Sequence, residues 1–209
     1  MKKVLFINGS PHEHGSTAAA LDEVRGAIEQ SGIACDTLWL GVRPISGCVG
    51  CRLCAKTGRC ELSGRDAVND TAARLDEYGA VVVGSPVYYS GPAGQLCAFL
   101  DRLFFSTKGR MTGKIGASVV VCRRGGGTAA FERLNQYFLM NNMAVAGSQY
   151  WNVVHGNNPD EVRRDEEGMQ VMRTLGANIA WLMRCIDAGE AAGVPRPQYE
   201  PRQRTNFIR

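Results

Sequence analysis

Short apolar segments that alternate with amphipathic ones constrain the fold of this chain more than any other feature. Residues 4–7, 80–83 and 115–122 form nearly unbroken apolar runs, a pattern typical of strands buried on both faces of a parallel sheet. Between such runs, apolar residues recur at helical spacing, as at Leu21 and Val24. Strands that alternate with helices predict an α/β fold, a doubly wound parallel sheet with helices on both faces.

The division of the chain into elements follows from the same patterns. No repeat, low-complexity tract or linker interrupts the 209 residues, so we expect a single domain over residues 1–209. We expect it to contain a cysteine-rich loop insertion at 41–64 and an extended tail at 190–209. The further expectations for single elements are a helix over 66–78, a loop over 85–92, a fifth strand within 143–154 that is split near Gly147, and one long helix over 161–188.

Composition narrows the classes of function. No apolar run approaches the roughly 20 residues that span a bilayer, and no signal peptide is recognisable, so we expect a cytoplasmic protein without a membrane partner. The net charge is only +4, and the modest basic cluster of Arg196, Arg202, Arg204 and Arg209 is too sparse for a DNA-binding surface. We therefore expect no nucleic acid partner. In a cytoplasmic chain the 8 cysteines do not predict a disulfide framework.

The loop after the first strand is rich in glycine and hydroxyl groups. Residues 9–17 read Gly-Ser-Pro-His-Glu-His-Gly-Ser-Thr and lead into a helix, whose free N–H groups and dipole favour an anion. The loop has no Lys or Arg and matches neither a Walker loop nor a G-x-G-x-x-G motif. We therefore predict a site for the phosphate of a mononucleotide. The alternative is a helix capped by Ser16 or Thr17 beneath a solvated loop.

Two more loops follow the third and fourth strands. Residues 84–91 read Gly-Ser-Pro-Val-Tyr-Tyr-Ser-Gly, and Gly125, Gly126 and Gly127 follow Arg123 and Arg124. A tyrosine beside a flat ring offers stacking, and glycines let backbone approach a ligand closely. Ordinary packing of the tyrosines at the sheet edge is the alternative. For Arg123 and Arg124 two interpretations stay open: they bind the phosphates of a nicotinamide dinucleotide, or they are simply solvated.

Together the motifs at 9–17 and 84–91 resemble those of the FMN-dependent NAD(P)H oxidoreductases of the flavodoxin superfamily, a group that includes FMN reductases, flavodoxin-like quinone reductases and iron–sulfur flavoproteins. The resemblance implies a flavodoxin-like sheet of five strands in the order 2-1-3-4-5. It also implies that the first loop binds the FMN phosphate and the other two border the isoalloxazine ring. The residues implied in FMN binding are Ser10, His12, Gly15, Ser16, Thr17, Pro86, Val87, Tyr88, Tyr89, Ser90, Arg123, Gly125, Gly126 and Gly127.

Four cysteines within thirteen positions form a C-x2-C-x2-C-x5-C motif at Cys48, Cys51, Cys54 and Cys60. Compact four-cysteine loops suit an iron–sulfur cluster, whereas structural zinc more often uses two separated pairs. The spacing resembles that of iron–sulfur flavoproteins, which implies a [4Fe–4S] cluster beside FMN. Zinc, a disulfide or free thiols remain alternatives.

An aromatic and polar segment follows the expected fifth strand. Tyr150, Trp151, Asn152 and His155 are candidates for the wall of a substrate pocket. The alternative places Trp151 in the core and His155 in a loop with its hydrogen bonds satisfied. In the resembling family the flavin often lies near a subunit interface, so we expect a homodimer or homotetramer.

The leading functional hypothesis is an FMN-dependent oxidoreductase that passes electrons from NAD(P)H through bound FMN to a quinone, a flavin or another small acceptor. The cofactor carries the chemistry, so no catalytic side chain is predicted. The alternative is an iron–sulfur flavoprotein or flavodoxin-like carrier that exchanges electrons with a protein such as ferredoxin, without NAD(P)H turnover. Electron carriers of this kind are usually acidic, so the charge of +4 favours the enzyme.

Overall fold

The computed structural model describes residues 1–62, 64, 66–107, 109–205 and 207. Ser63 of the expected loop insertion and Asn206, Ile208 and Arg209 of the expected tail lie outside the described residues. Within the described part, seven strands form one sheet. They are β1 (Lys3–Asn8), β2 (Cys35–Trp39), β3 (Tyr78–Tyr88), β4 (Gly91–Pro92), β5 (Ile115–Cys122), β6 (Ala144–Val145) and β7 (Val153–His155).

The strand order confirms the predicted flavodoxin-like topology. The sheet runs β2-β1-β3-β5-β6. β7 also pairs with β5, but farther along that strand than β6 does. The short strands β6 and β7 share the fifth position, so the predicted split of that strand is also confirmed. All pairings are parallel except that of β4, which folds back antiparallel onto β3.

Helices cover both faces of the sheet and bury its alternating side chains. They are α1 (Ser16–Glu29), α2 (Cys54–Thr57), α3 (Val68–Arg74), α4 (Gly94–Ser106), α5 (Gly127–Met140), α6 (Pro159–Arg164) and α7 (Glu166–Ala191). Val4 and Phe6 of β1 pack into the core beneath α1 and α7, whereas Leu5 and Ile7 pack into the core beneath α3, α4 and α5. Strict alternation along a strand assigns consecutive residues to opposite cores.

Two expected element boundaries are wrong. The helix expected over 66–78 ends earlier, because α3 stops at Arg74 and a 3₁₀ turn (Leu75–Glu77) leads into β3. Tyr78 is therefore a buried strand residue, and its hydroxyl donates to the Asp36 carboxylate at 2.8 Å. The loop expected over 85–92 is also wrong at its start, since β3 continues to Tyr88 and pairs with β4.

The single long helix expected over 161–188 is divided at Asp165. One Asp165 carboxylate oxygen accepts the Gly168 N–H at 3.0 Å and caps α7. The other accepts the His155 N–H at 2.7 Å, which ties the break to the end of β7. α7 then runs to Ala191, and the described residues after it form neither helix nor strand. No helix in the described part is both long and apolar enough to cross a bilayer.

Candidate functional site at the carboxyl ends of the strands

The first predicted loop joins β1 to α1 and is held by side chains that the sequence did not single out. Asn8 is buried at the end of β1; its amide oxygen accepts the Ser10 N–H at 3.0 Å and its amide nitrogen donates to the Glu13 carbonyl at 3.1 Å. The Trp39 indole at the end of β2 donates to the Ser10 carbonyl at 2.9 Å. These three bonds fix the loop before any ligand arrives.

The start of α1 is left open to an anion. Gly15 occupies the N-cap and no side chain caps the helix, so the alternative of a cap by Ser16 or Thr17 is wrong. The first N–H groups of a helix have no intrahelical partner. Ser10 Oγ accepts the His12 N–H at 3.1 Å, which leaves its hydroxyl hydrogen available to a ligand. Ser10 and Thr17 are buried, Gly15 and Ser16 half-buried and His12 exposed.

The second predicted loop is a tight hairpin between β3 and β4. Its two connecting residues, Tyr89 and Ser90, have φ values of 50° and 62°. Two positive φ values define the type I′ turn, which normally prefers Asn-Gly. Tyr89 is fully exposed and Tyr88 is 48% exposed, so the alternative of ordinary packing at the sheet edge is wrong for both. Strained conformations of this kind cluster at ligand sites.

The third predicted loop contacts the hairpin. Gly126, at φ 87°, lies so close to it that an added Cβ would be 2.8 Å from the Ser90 Cα and 3.1 Å from Val87 Cγ1. The first loop reaches the second through the Gly9 N–H, which donates to the Gly84 carbonyl at 2.9 Å. The three loops therefore share the edge of the sheet formed by the carboxyl ends of its parallel strands. Ligands of open α/β sheets bind at this edge.

The remaining residues predicted in these loops differ in exposure. Pro86 and Val87 are half-buried in the last part of β3, and Ser90 is exposed in the turn. Arg123 and Gly125 are also exposed. Gly127 is buried, and an added Cβ there would lie 2.7 Å from Val153 Cγ1. The position of a side chain at Gly127 is therefore occupied by Val153 of β7.

A separate cleft of about 380 Å³ opens on the β7 side of the third loop. Its lining includes Arg124, Gly125, Thr128, Tyr150, Trp151 and His155. The Tyr150 and Trp151 rings meet edge to face with centroids 4.9 Å apart. Because Trp151 is half exposed, its alternative placement in the core is wrong.

Asn152 does not belong with its neighbours in that cleft. Its side chain is 1% exposed. The amide nitrogen donates to the Ser118 carbonyl at 3.1 Å, and the amide oxygen lies 2.7 Å from the Ser148 hydroxyl. Its prediction as a pocket wall is therefore wrong, because its polar atoms are used to fasten the segment onto β5.

The four motif cysteines line one small, enclosed cavity of about 20 Å³. Cys54 is buried at the start of α2, Cys60 is half-buried, and Cys48 and Cys51 are exposed. Burial, followed by the nearby Cys60, Cys51 and Cys48 thiols, raises the pKa of Cys54. No disulfide joins any of the eight cysteines, all of which lie within the described residues.

The backbone around the cysteines is shaped by turns and one asparagine. Gly58, at φ 78°, closes α2 four residues after Cys54. The Asn69 side chain on α3 accepts the Cys60 N–H at 2.9 Å and donates to the Cys60 carbonyl at 2.9 Å. Asn69 thus fixes the last cysteine of the motif against the body of the protein.

Arg102 is the functional candidate that the sequence reasoning missed. It is 1% exposed on α4, and its Nε donates to Cys60 Sγ at 3.2 Å. Its Nη1 donates to Asp66 Oδ2 at 2.6 Å and to the Ser46 carbonyl at 3.1 Å. A charge three positions after Phe99, on the apolar face of an amphipathic helix, is the signal that would have found it.

The four cysteines have the chemistry of a cluster ligand set, although they are not yet placed around one point. In the described part of the chain, no three His, Cys, Asp or Glu side chains are placed to hold a metal ion. Four thiols still converge on one cavity, and one thiolate per iron is the ligand set of a [4Fe–4S] cluster. The buried Nη2 of Arg102 has no hydrogen-bond partner among the described residues, so a donor beside the cavity awaits an acceptor.

Comparisons with known proteins agree with this geometry. Residues 2–158 match the family described as NADPH-dependent FMN reductase. An iron–sulfur flavoprotein from Methanocaldococcus jannaschii is 29% identical over 192 residues, which cover 88% of this chain and 98% of that protein. One from Archaeoglobus fulgidus is 32% identical over 120 residues, 57% of this chain and 54% of that protein.

Among solved structures, RosB with a bound flavin-phosphate intermediate superposes with a TM-score of 0.71 at 13% identity, covering 100% of this chain and 94% of that one. At this identity the likeness shows the fold alone.

Proposed function

Because this chain belongs to the NADPH-dependent FMN reductase family, we propose that it is an FMN oxidoreductase that also carries a [4Fe–4S] cluster and exchanges single electrons with a protein partner. The observation that carries the proposal is the convergence of four cysteines on one cavity. The iron–sulfur flavoprotein of M. jannaschii, which is similar along almost its whole length, supports it.

The three loops at the sheet edge would hold FMN, which supplies both one- and two-electron chemistry when bound. The phosphate would lie at the open N-terminus of α1, on the N–H groups of Ser16 and Thr17 and the Ser10 hydroxyl, beside Gly15 and His12. The ring would lie against the hairpin and the third loop. The residues proposed to border the ring are Pro86, Val87, Tyr88, Tyr89, Ser90, Arg123, Gly125, Gly126 and Gly127.

Cys48, Cys51, Cys54 and Cys60 would bind the cluster, which supplies one-electron transfer. The cavity of about 20 Å³ has room for about one water molecule and is too small for a four-iron cluster, so the loop would open outward on loading. Cys48 and Cys51 are exposed on a segment without helix or strand, where such movement meets little packing. Cys54 and Cys60 would stay on the protein body.

Charge around the cysteines favours an acidic protein as the partner. Arg43, Arg52, Lys56 and Arg59 are exposed, and none has an ion-pair partner within the described residues. Glu61 is the sole acidic residue of the segment 41–64. A basic surface around a redox centre steers acidic electron-transfer proteins, such as a ferredoxin, toward it.

A second candidate function is NAD(P)H:acceptor reduction at the same FMN. The cleft of about 380 Å³ beside the third loop supports it, because Arg124 at its rim suits a dinucleotide phosphate and Tyr150 and Trp151 offer stacking surfaces.

We also propose that a homodimer or homotetramer is the working form. Light scattering of the purified protein measures its oligomeric state directly.

Anaerobic purification followed by spectroscopy and cofactor analysis tests the proposal. We expect one FMN and four irons per chain, with a brown absorbance that dithionite bleaches. Reduced ferredoxin should then reduce the protein faster than NADH or NADPH does. Faster reduction by a nicotinamide nucleotide would establish the second function instead. A chain that takes up FMN but no iron would overturn the cluster, and one that takes up no FMN would overturn both functions.

A further inference from the structure

An arginine without solvent access lies at the wall of the cysteine cavity. The Arg102 side chain has no exposed surface in its ion pair with Asp66, and it lines the cavity together with all four motif cysteines. Charged side chains are almost never fully buried unless they are paired. Groups in this part of the molecule must therefore compensate the buried charge of Arg102.

The known partners of Arg102 account for only part of its hydrogen-bonding capacity. Nη1 and Nε donate to Asp66, Ser46 and the Cys60 sulfur. Nη2 is buried and has no partner among the described residues. A buried donor left unsatisfied is costly, and more so when it is charged. An acceptor that fills the cavity would remove this penalty.

A sulfur-rich anion matches that requirement. An iron–sulfur cluster on four thiolates presents several negatively charged sulfurs, which accept N–H hydrogen bonds, and such bonds help to set the reduction potential. The guanidinium fork offers several donors in fixed directions. On the side of the cavity where Arg102 lies, one donor already reaches the sulfur of Cys60.

We propose that Arg102 is a positioning residue for the bound cluster, donating N–H···S hydrogen bonds to Cys60 and to a second sulfur, and so raising the reduction potential of the cluster. The inference rests on the proposed function, since it requires the cluster. Reduction adds one negative charge next to the guanidinium, so the cation stabilises the reduced state more than the oxidised one. Removing the charge therefore lowers the potential.

Redox titration followed by electron paramagnetic resonance, with iron and FMN content measured in parallel, tests this role in the full chain. For Arg102→Gln we expect an at least tenfold lower ratio of reduced to oxidised cluster at the wild-type midpoint, which is about 59 mV for one electron. Arg102→Lys, which keeps the charge and loses the fork, should shift in the same direction by less.

Two further variants separate this role from simple anchoring of the loop. Asp66→Asn removes the negative partner of the ion pair but keeps Arg102, so we expect the potential to move upward, opposite to Arg102→Gln. Arg110→Gln removes an arginine that anchors α3 and the turn after it, through the Ala72 carbonyl and the Asp76 carboxylate, and we expect no shift there. An anchoring role alone would change iron retention in Arg102→Gln and Asp66→Asn alike and leave both potentials unchanged.

Each possible outcome of these titrations either supports or overturns the proposed role of Arg102. A fully loaded Arg102→Gln protein with the wild-type potential overturns the inference and leaves the proposed function intact. If that variant takes up no cluster, the sign of the shift in Arg102→Lys decides, and if that also fails, the sign in Asp66→Asn decides. A wild-type chain that binds FMN but no iron removes the cluster itself, a distinct result visible before any variant is made.

Discussion

Gly126 has no side chain, and this lets the third loop contact the β3–β4 hairpin closely. It has a positive φ and lies against Ser90 and Val87 of the hairpin. We expect Gly126→Ala to lower the free energy of unfolding by about 1–3 kcal/mol through backbone strain and displacement of the hairpin. FMN binding should weaken about tenfold, equivalent to about 1.4 kcal/mol, as measured by quenching of flavin fluorescence.

The neighbouring glycine provides the matched control for this change. Gly125 has an ordinary φ, and an added Cβ there would meet no atom within 4 Å. Gly125→Ala should therefore leave stability within about 0.5 kcal/mol of the wild type. Equal effects of the two alanines on stability and affinity would contradict the contact argument.

Asp36 links acid stability to a network at the opposite end of the sheet. Hydrogen bonds from Tyr78, Lys3 and Arg74 hold the pKa of Asp36 below its usual 3.8. A lowered folded-state pKa contributes stability that is present above pH 3.8 and is lost as pH falls through the folded value. Asp36→Asn should cost about 1 kcal/mol at pH 7, since the carboxylate is partly exposed, and less below pH 3.8.

Urea unfolding at pH 7 and pH 3 measures this difference. Asp22→Asn is the control. Asp22 is exposed on α1, and its carboxylate lies 3.6 Å from the Arg25 guanidinium, too far for a hydrogen bond. We expect that variant to unfold at nearly the urea concentration of the wild type, because an exposed ion pair contributes little. A gap between wild type and Asp36→Asn that stays constant from pH 7 to pH 3 would show that the Asp36 network does not form in solution.

At the scale of elements, the β3–β4 hairpin carries backbone strain, which we propose serves ligand binding. Its turn places Tyr89 and Ser90 in the left-handed region, where Asn and Gly are favoured. We expect Tyr89→Asn to stabilise the FMN-free chain by about 0.5–1 kcal/mol and to weaken FMN binding, because the exposed ring is lost. Chemical denaturation and flavin titration of the same variant measure both effects.

Ser90→Gly separates the two contributions in that hairpin. It relieves the same kind of backbone strain and keeps Tyr89, so we expect a similar gain in stability with FMN affinity changed by less than about threefold. If Tyr89→Asn binds FMN as tightly as the wild type, Tyr89 does not contact the ring.

For the whole molecule, the fold and the cysteine cavity should be separable. Cys48 and Cys51 are exposed and belong to neither hydrophobic core. We expect Cys48→Ser/Cys51→Ser to lose its iron but to keep its fold and FMN binding. At 100 times the dissociation constant, FMN stabilises by about 2.7 kcal/mol, a rise in melting temperature of roughly 5–10 °C. Calorimetry of the variant with and without FMN checks both expectations, and the absence of an FMN-dependent rise would contradict the separation.

Local pattern was enough to predict most of the architecture. Residues 4–7 and 115–122 lie in buried strands because their apolar runs leave no polar face for solvent. The order of strands, the helices on both faces and the positions of the three loops follow from such runs and from the resemblance of two motifs. The boundary between helix and strand at Tyr78 was not predicted. Tyr78 suits a buried strand only because its hydroxyl donates a hydrogen bond to Asp36, which is distant in the sequence.

The sequence by itself determined the alternation of strands and helices, because it depends on interactions within short segments. The family resemblance added the strand order and, with it, which loops share one edge of the sheet. The tertiary structure alone decided that Gly126 meets Ser90 and that Arg102 lies beside Cys60, 42 residues away along the chain. Contacts between distant segments depend on how the helices pack on the sheet, which no local periodicity encodes. The candidate redox chemistry of this protein lies in those contacts.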